Sequence, residues 1–331
     1  MNNKKDPGGS YNVLKVTIII VFIIMLFSLV NSKVATRVSA MNNYVDNEKI
    51  NFTCVYEADY LPPLDPEADS WFKQARILEK AKGPKDYAAI GALYRQAVDK
   101  DHYKAMRNLQ NLLLQGLVKP LPGKRPSEEA VEIVEKMIKM NIPSGYFAMG
   151  YYLENGYGVE SDKMASLAYY RKAADLGNPE GQYVIGRIFL SKNLGNDQKN
   201  LVYRPEIGKA MLICSATNGY GPAAYELANH YQLVEKNFKM ATYYFQMGVM
   251  NGHYYSAMDL QEAFKSPPPT DEINYLNLSR DDERVHRYFL IRNEIDKNPY
   301  ARFPDLDKIV PLPPAPLPKW DGSFEYKKGG K

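Results

Sequence analysis

Apolar positions recur at helical spacing through most of this chain, and a longer period is laid over that spacing. The stretch "YYRKAADLGNPEG", Tyr169 to Gly181, joins an Ala-rich helical turn to a Gly-Asn-Pro break. Sliding its first nine residues along the chain brings up "LYRQAVDKD" from Leu93, "IVEKMIKMN" from Ile133, "MLICSATNG" from Met211 and "YFQMGVMNG" from Tyr244. Each block starts bulky, turns small or apolar one turn later, and ends on Asp, Asn or Gly, residues that tolerate a left-handed conformation at a helix C-terminus. The endings stand 33 to 42 residues apart, the range of two-helix repeats.

A second register supports the first. Four residues beyond each ending stands a small residue, Ala105, Gly145, Gly181, Ala223 or Ser256, and four further on an apolar one, Leu109, Met149, Ile185, Leu227 or Leu260. That spacing puts both on one helix face. Gly150, Gly186 and Ala228 follow in three of the copies and let the helices of a pair approach closely. The pattern predicts an all-α fold, a right-handed α-solenoid of antiparallel helix pairs in which each unit buries its apolar face on the next. Ala68 to Lys82 and Asp86 to Lys100 form the first pair; Asp281 to Lys297 reads as a terminal amphipathic helix with an acidic start that suits the helix dipole.

Both ends depart from this pattern. The run "VTIIIVFIIMLFSLV", Val16 to Val30, is uncharged, and its flank from Tyr11 lengthens it to about the 20 residues that span a bilayer. Lys4, Lys5 and Lys15 against Asp6 favour a cytoplasmic N-terminus. An uncleaved transmembrane helix is the expectation, with a cleaved signal peptide as the competing reading; both export the remainder, to the periplasm in a bacterium. At the other end, Arg302 to Gly322 carries six prolines, which exclude helix and central strand and favour an extended path. Its Leu306, Ile309, Val310, Leu312, Leu317 and Trp320 make it too apolar for a free tail, so it is expected to dock along the solenoid, whose concave groove is one place for it, with an exposed proline-rich ligand for another protein as the alternative. The chain therefore divides into residues 1–32 (anchor or signal), 33–66 (linker), 67–265 (solenoid) and 266–331 (capping helix and Pro-rich docking segment).

Composition narrows the function classes. With 45% hydrophobic and 24% charged residues the 331-residue chain is globular, and a net charge of +4 with acids and bases interspersed leaves no nucleic-acid footprint. The 26 tyrosines exceed what a core requires and favour an interface role. Cys54 and Cys214 form no metal-ligand pair, and their pairing with each other stays open. Four dispersed histidines and the absence of a nucleophile elbow, a zinc helix or a phosphate loop leave no catalytic residue, no metal, no cofactor and no small-molecule substrate expected. Cys214 reads as a small packing residue rather than a nucleophile.

The residues now carry a resemblance. "FAMGYYLENGYGVESDKMASLAYYRKAADLGNPEGQYVIG", Phe147 to Gly186, is similar to the Sel1-like repeat, a relative of the tetratricopeptide repeat, with "GYGV" at Gly156 to Val159 and "YYRKAA" at Tyr169 to Ala174. The Tyr220 to Gly252 unit lacks that loop, and the Pro179 to Gly219 unit carries an insertion around "KNLGNDQKN". Together with the ending "PDLDKIVPLPPAPLPKWDG", the chain resembles a bacterial family that accompanies type VI secretion effectors of the phospholipase D type. Members act as immunity proteins that bind the toxin in the periplasm. The segment "HYKAMRNL" begins like a phospholipase D motif, but Leu109 stands where Asp is needed, so His102 and Lys104 are read as helix-surface residues.

The resemblance implies that the first helix of each pair lines a concave face. With Met149, Ile185 and Leu227 buried, the exposed inner positions are Phe147, Tyr183 and Tyr225 in one row and Tyr151, Arg187 and Asn229 in the next, with Tyr254 and Tyr255 extending the surface. An aromatic ladder beside an Arg suits a protein interface; rings covered by the tail or packed between repeats are the alternative. The resemblance thus implies a membrane-held periplasmic immunity protein whose partner is a cognate secreted effector. A periplasmic scaffold or regulator of an envelope complex is the alternative function.

Overall fold

The computed structural model describes residues 52–81, 83–194, 198–200 and 202–325, so the apolar run at Val16 to Val30 and the anchor or signal expected there lie outside the described residues. The helices are α1 (Pro66–Lys80), α2 (Tyr87–Asp99), α3 (Tyr103–Leu114), α4 (Pro126–Lys139), α5 (Pro143–Asn155), α6 (Lys163–Asp175), α7 (Pro179–Leu190), α8 (Pro205–Thr217), α9 (Gly221–Asn229), α10 (Phe238–Met250), α11 (Tyr254–Ala263), α12 (Asp282–Lys297) and the single turn α13 (Leu306–Ile309). A 3-10 turn, Glu57–Tyr60, precedes them, and α9 runs on into a π turn, His230–Val234. From α1 to α12 consecutive helices pack as antiparallel neighbours, giving a helical-repeat solenoid. The all-α expectation misses a small hairpin, Asn193–Leu194 paired with Gln198–Lys199, within the insertion after α7.

The periodic endings build the junctions. Asp101, Asn141, Gly177, Gly219 and Gly252 all have positive φ, 58°, 56°, 83°, 86° and 72°. The residue after each donates its N–H five residues back, as in His102 N to Ala97 O (3.1 Å), Ile142 N to Met137 O (2.9 Å) and Asn178 N to Ala173 O (2.9 Å). This is the Schellman closure of a helix C-terminus, and it places the next helix one residue later. That same residue caps the new helix where its side chain is able to: Asn178 Oδ1 accepts from Gly181 N (2.8 Å), His102 Nδ1 from Ala105 N (3.1 Å) and His253 Nδ1 from Ser256 N (3.2 Å). His102 is therefore a buried cap at 1% exposure and not the helix-surface residue expected, while Lys104 is exposed.

The small and apolar registers are buried throughout, from Ala105 and Leu109 to Ser256 and Leu260. A Cβ on Gly145 would stand 2.6 Å from Met137 Cβ, and one on Gly150 would stand 2.7 Å from the Tyr170 ring, so these glycines set the helix separation. Two apolar clusters result. One runs from Ala68 to Tyr152 around Tyr94, Leu109 and Met137, the other from Leu190 to Phe324 around Phe245, Phe264, Tyr288 and Phe303.

The segment expected to end the linker is fastened from Phe52 onward. Cys54 is bonded to Cys214 of α8, Glu57 N donates to Gly177 O (3.1 Å) and Gln182 Nε2 donates to Val55 O (3.0 Å). Cys214 is thus a disulfide half rather than a free packing residue, because the strap brings Cys54 across 160 residues of sequence to a Cα separation of 5.6 Å.

The Pro-rich segment docks, but on the second helices α10 and α12 rather than along the row of first helices. Proline has no N–H, so the carbonyls of an extended path need outside donors. Gln246 Nε2 reaches Val310 O (2.9 Å), Arg284 Nη2 reaches Pro311 O (3.0 Å) and Ala315 O (2.6 Å), and Arg287 Nη1 reaches Ile309 O (2.5 Å). The turn α13 contradicts the expectation of no helix between Arg302 and Gly322; it fits because its four residues precede Pro311.

Candidate functional site

The eight residues picked from the repeat register fall on four successive first helices: Phe147 and Tyr151 on α5, Tyr183 and Arg187 on α7, Tyr225 and Asn229 on α9, Tyr254 and Tyr255 on α11. Tyr151, Arg187 and Tyr255 are exposed, the others half-buried. The expectation that Phe147, Tyr183 and Tyr225 stand exposed is corrected by their neighbours. Phe147 packs on Tyr170 (5.3 Å between centroids), Tyr183 on Tyr220 (5.3 Å), and Tyr225 on His253 (4.6 Å) and Phe245 (5.9 Å). Phe147 thus packs within its own helix pair, Tyr183 reaches the cap of the next pair, and Tyr225 does both, which buries much of each large flat side chain. The Arg292 guanidinium covers the Tyr254 ring at 5.7 Å, which turns that residue toward α12, whereas Tyr255 stays open beside Tyr225 at 6.2 Å.

Among the described residues, members of this row line two hollows, and a further one shares lining with one of them. Phe147 and Tyr151 line a pocket of about 290 Å³ with Arg107, Gln110 and Glu180. Arg107, Asn111 and Ser144 are shared with a larger polar cavity of about 710 Å³, bounded also by Glu57 of the strap, Arg76 of α1 and Tyr300. Arg187 and Asn229 line a third hollow of about 890 Å³, with an apolar wall from Val184, Ile188 and Leu190.

Charge is mostly self-compensated across this surface. Arg107 pairs with Glu180, and Arg187 Nε lies 3.1 Å from Glu226 while its guanidinium stacks 5.3 Å from Tyr183. Burial raises the Glu57 carboxyl, opposed by Arg107 and reinforced by Glu180; Ser144 N (3.2 Å) and Asn178 Nδ2 (3.1 Å) donate to its oxygens. Burial also pushes Asp259 up to about 6, and the Tyr225 hydroxyl works against that. His253 is pushed down to about 4 by burial and acts as a neutral cap acceptor. Among the described residues no three His, Cys, Asp or Glu side chains gather as a metal site. Aromatic rings, paired charges and shallow hollows are the features that protein interfaces share.

Sequence reasoning missed the strap and the Tyr300 contact. Tyr300 follows α12, yet its ring lies 5.0 Å from the Arg76 guanidinium and 5.5 Å from Lys80 Nζ, both on α1. The last segment thus meets the first helix at the mouth of the polar cavity. Nothing local signals this, because it depends on the accumulated curvature of the intervening repeats.

Comparison with known proteins adds identity to this geometry. The Sel1 repeat model matches residues 143–178 and 221–253, and a domain of unknown function (DUF6396) matches residues 256–331. The human protein sel-1 homolog 2 is 28% identical over 126 residues, which is 38% of this chain and 18% of that protein, so the chain spans less than a fifth of its length. Among solved structures, immunity protein Pa5087 from Pseudomonas aeruginosa is 36% identical, with a TM-score of 0.65, over 80% of this chain and 96% of that one. Immunity protein PA5088 from the same organism is 32% identical, with a TM-score of 0.67, over 81% and 96%.

Proposed function

We propose that this chain, which belongs to the family of the Pseudomonas aeruginosa immunity proteins Pa5087 and PA5088, is itself an immunity protein that binds and blocks a toxic effector. The observation that carries the reading is the match at 36% identity over 80% of this chain and 96% of Pa5087. Blocking needs no chemistry of its own. A concave surface that covers the effector's active site or its approach to substrate is sufficient.

The finer assignment rests on sequence. The tail motif Pro304 to Gly322 supports a type VI secretion effector of the phospholipase D type as the partner. The apolar run Val16 to Val30 behind three lysines supports a single-pass inner-membrane anchor with the solenoid in the periplasm. The Cys54–Cys214 bond agrees with an oxidising compartment. An anchor would confine the inhibitor to the surface on which a lipase acts and raise its effective concentration there. The surface proposed for binding is the row of first helices carrying Phe147, Tyr151, Tyr183, Arg187, Tyr225, Asn229 and Tyr255, with Tyr254 beside it.

The test is co-expression. A phospholipase-type effector encoded beside the gene is directed to the periplasm of a test bacterium with and without this protein, and viability and co-purification are followed. Rescue together with a stable complex is expected. Lysis without a complex, despite good expression of both chains, sinks the reading for that effector and turns attention to an envelope scaffold. Tyr151→Ala with Arg187→Ala, both exposed, then asks whether the groove is the surface used: binding falls while helicity and melting hold.

A further inference from the structure

Repeats announce function where they stop repeating, because stacking alone needs only the common positions. In α7 and α9 those positions are kept: Ile185 and Gly186, Leu227 and Ala228, all buried. The loops that follow both helices depart from the "GYGV" form at Gly156 to Val159. After α7 the chain inserts the hairpin segment, and after α9 it continues as the π turn His230–Val234. Both departures line the same hollow of about 890 Å³, the first through Ser191, Lys192 and Tyr203 and the second through His230, Leu233 and Val234.

The π turn is held firmly. Gln232 is buried, and its Nε2 donates to the carbonyls of Glu272 (3.1 Å), Ile273 (2.8 Å) and Tyr275 (3.2 Å), while Asn237 N closes on Tyr231 O at 2.7 Å. Fixed in this way, the turn holds Leu233 at 42% and Val234 at 58% exposure in the lining of a hollow that Val184, Ile188 and Leu190 also line. Single-turn π irregularities cost regular hydrogen bonding and concentrate at functional sites. A rigid apolar lip loses little entropy when it is covered.

Charge settles what covers it. Around the hollow Arg187 is paired with Glu226, His230 Nε2 lies 3.1 Å from Glu235, and Glu154 accepts the Tyr170 hydroxyl at 2.7 Å. Among the described residues lining it, Lys192 is the exposed cation left without an ion pair. Arg187 and Asn229 also make this hollow continuous with the proposed binding row.

The geometry points to this hollow as the seat of one effector segment: a bulky apolar side chain seated against Leu233, Val234, Val184 and Ile188, with a carboxylate beside it reaching Lys192. This inference rests on the immunity reading and specifies where that partner is anchored. The experiment measures the affinity of the exported, oxidised chain for the phospholipase-type effector of the co-expression assay, by interferometry. Leu233→Ser with Val234→Ser is expected to weaken binding by roughly tenfold or more, since truncated interface anchors act on that scale. Lys192→Glu is expected to weaken it severalfold, less at about 0.5 M salt because exposed charges are screened there. Ile77→Ser on α1, equally apolar and 69% exposed, leaves affinity unchanged. If the wild type binds and both hollow variants bind equally well, the site is wrong while the immunity reading stands. If the wild type binds no effector, both fall together.

Discussion

At the N-terminal end of the described chain a strap from Phe52 to Tyr60 crosses α5, α7 and α8 and contributes no buried residue. At the C-terminal end the segment from Tyr300 to Glu325 crosses α10 and α12 and buries Ala301, Phe303, Leu306, Ile309, Val310 and Phe324. Both are irregular chain laid over regular repeats, and both must offset the entropy of being ordered. The tail does so by apolar burial plus Arg and Gln donors for its orphan carbonyls. The strap buries none of its apolar residues fully and is held by a covalent bond, with Glu57 as its polar anchor. The difference teaches that an ordered irregular segment needs either buried area or a cross-link.

Breaking the tail should have the largest effect. Phe303→Ala, at a fully buried ring, is expected to cost about 3–5 kcal/mol in denaturant unfolding. Hydrogen exchange should accelerate in the tail and α12 and spare the strap; equal loss of protection at both ends would mean that they are one cooperative unit. Next comes the strap. Cys54→Ser should cost about 2–4 kcal/mol, since a bond across 160 residues restricts the unfolded chain, and should free the Glu57 amide for exchange while the tail keeps its protection. Unchanged stability would show that the polar contacts hold the strap unaided.

A third variant isolates the carbonyl donors. Arg287→Leu removes the bond to Ile309 O and the ion pair with Glu283, and is expected to cost about 1.5–3 kcal/mol, with Trp320 fluorescence changing because the guanidinium lies 5.7 Å from its ring. A neutral result would assign tail docking to burial alone.

The smallest effect concerns pH. Burial lowers both His253 and His102, so the unfolded chain binds more protons than the folded one below the usual imidazole pKa of 6.5, and stability falls on acidification, for His253 as pH drops from 6.5 toward about 4. Asp259 has the opposite sign. Its folded pKa is raised to about 6, so its contribution is present at low pH and lost as pH rises through that value. The two trends oppose each other between pH 4 and 6, and the net change in the wild type should stay within about 1 kcal/mol. Asp259→Asn leaves the histidines unopposed, and its stability should fall more steeply on acidification; parallel curves for variant and wild type would overturn this.

Much of the fold was legible because repeats write the same instruction several times. The endings Asp101, Asn141, Gly177, Gly219 and Gly252 were readable as left-handed stops, and the small and apolar registers as the packing face, since i, i+4 spacing and φ preference are local properties. The proposed binding row was legible only as a row. Its positions on α5, α7, α9 and α11 follow from the register, but how far each ring is covered depends on the next repeat, as Tyr183 under Tyr220 and Tyr225 beside His253 illustrate. His102 was misjudged for a related reason: its sequence context fits a helix surface equally well, and only the closed junction turns it inward as a cap.

By itself, then, the sequence determined the helices, their junctions, their stacking order and the departures after α7 and α9, because turn chemistry and periodicity act over a few residues. Tertiary structure alone decided that Cys54 meets Cys214, that Arg284 and Arg287 turn inward to serve the tail, that Tyr300 reaches α1 and that the two irregular loops line one hollow. Each of these joins residues far apart in the chain. Small rotations between successive helix pairs accumulate over the solenoid, and no local rule for one pair specifies their sum.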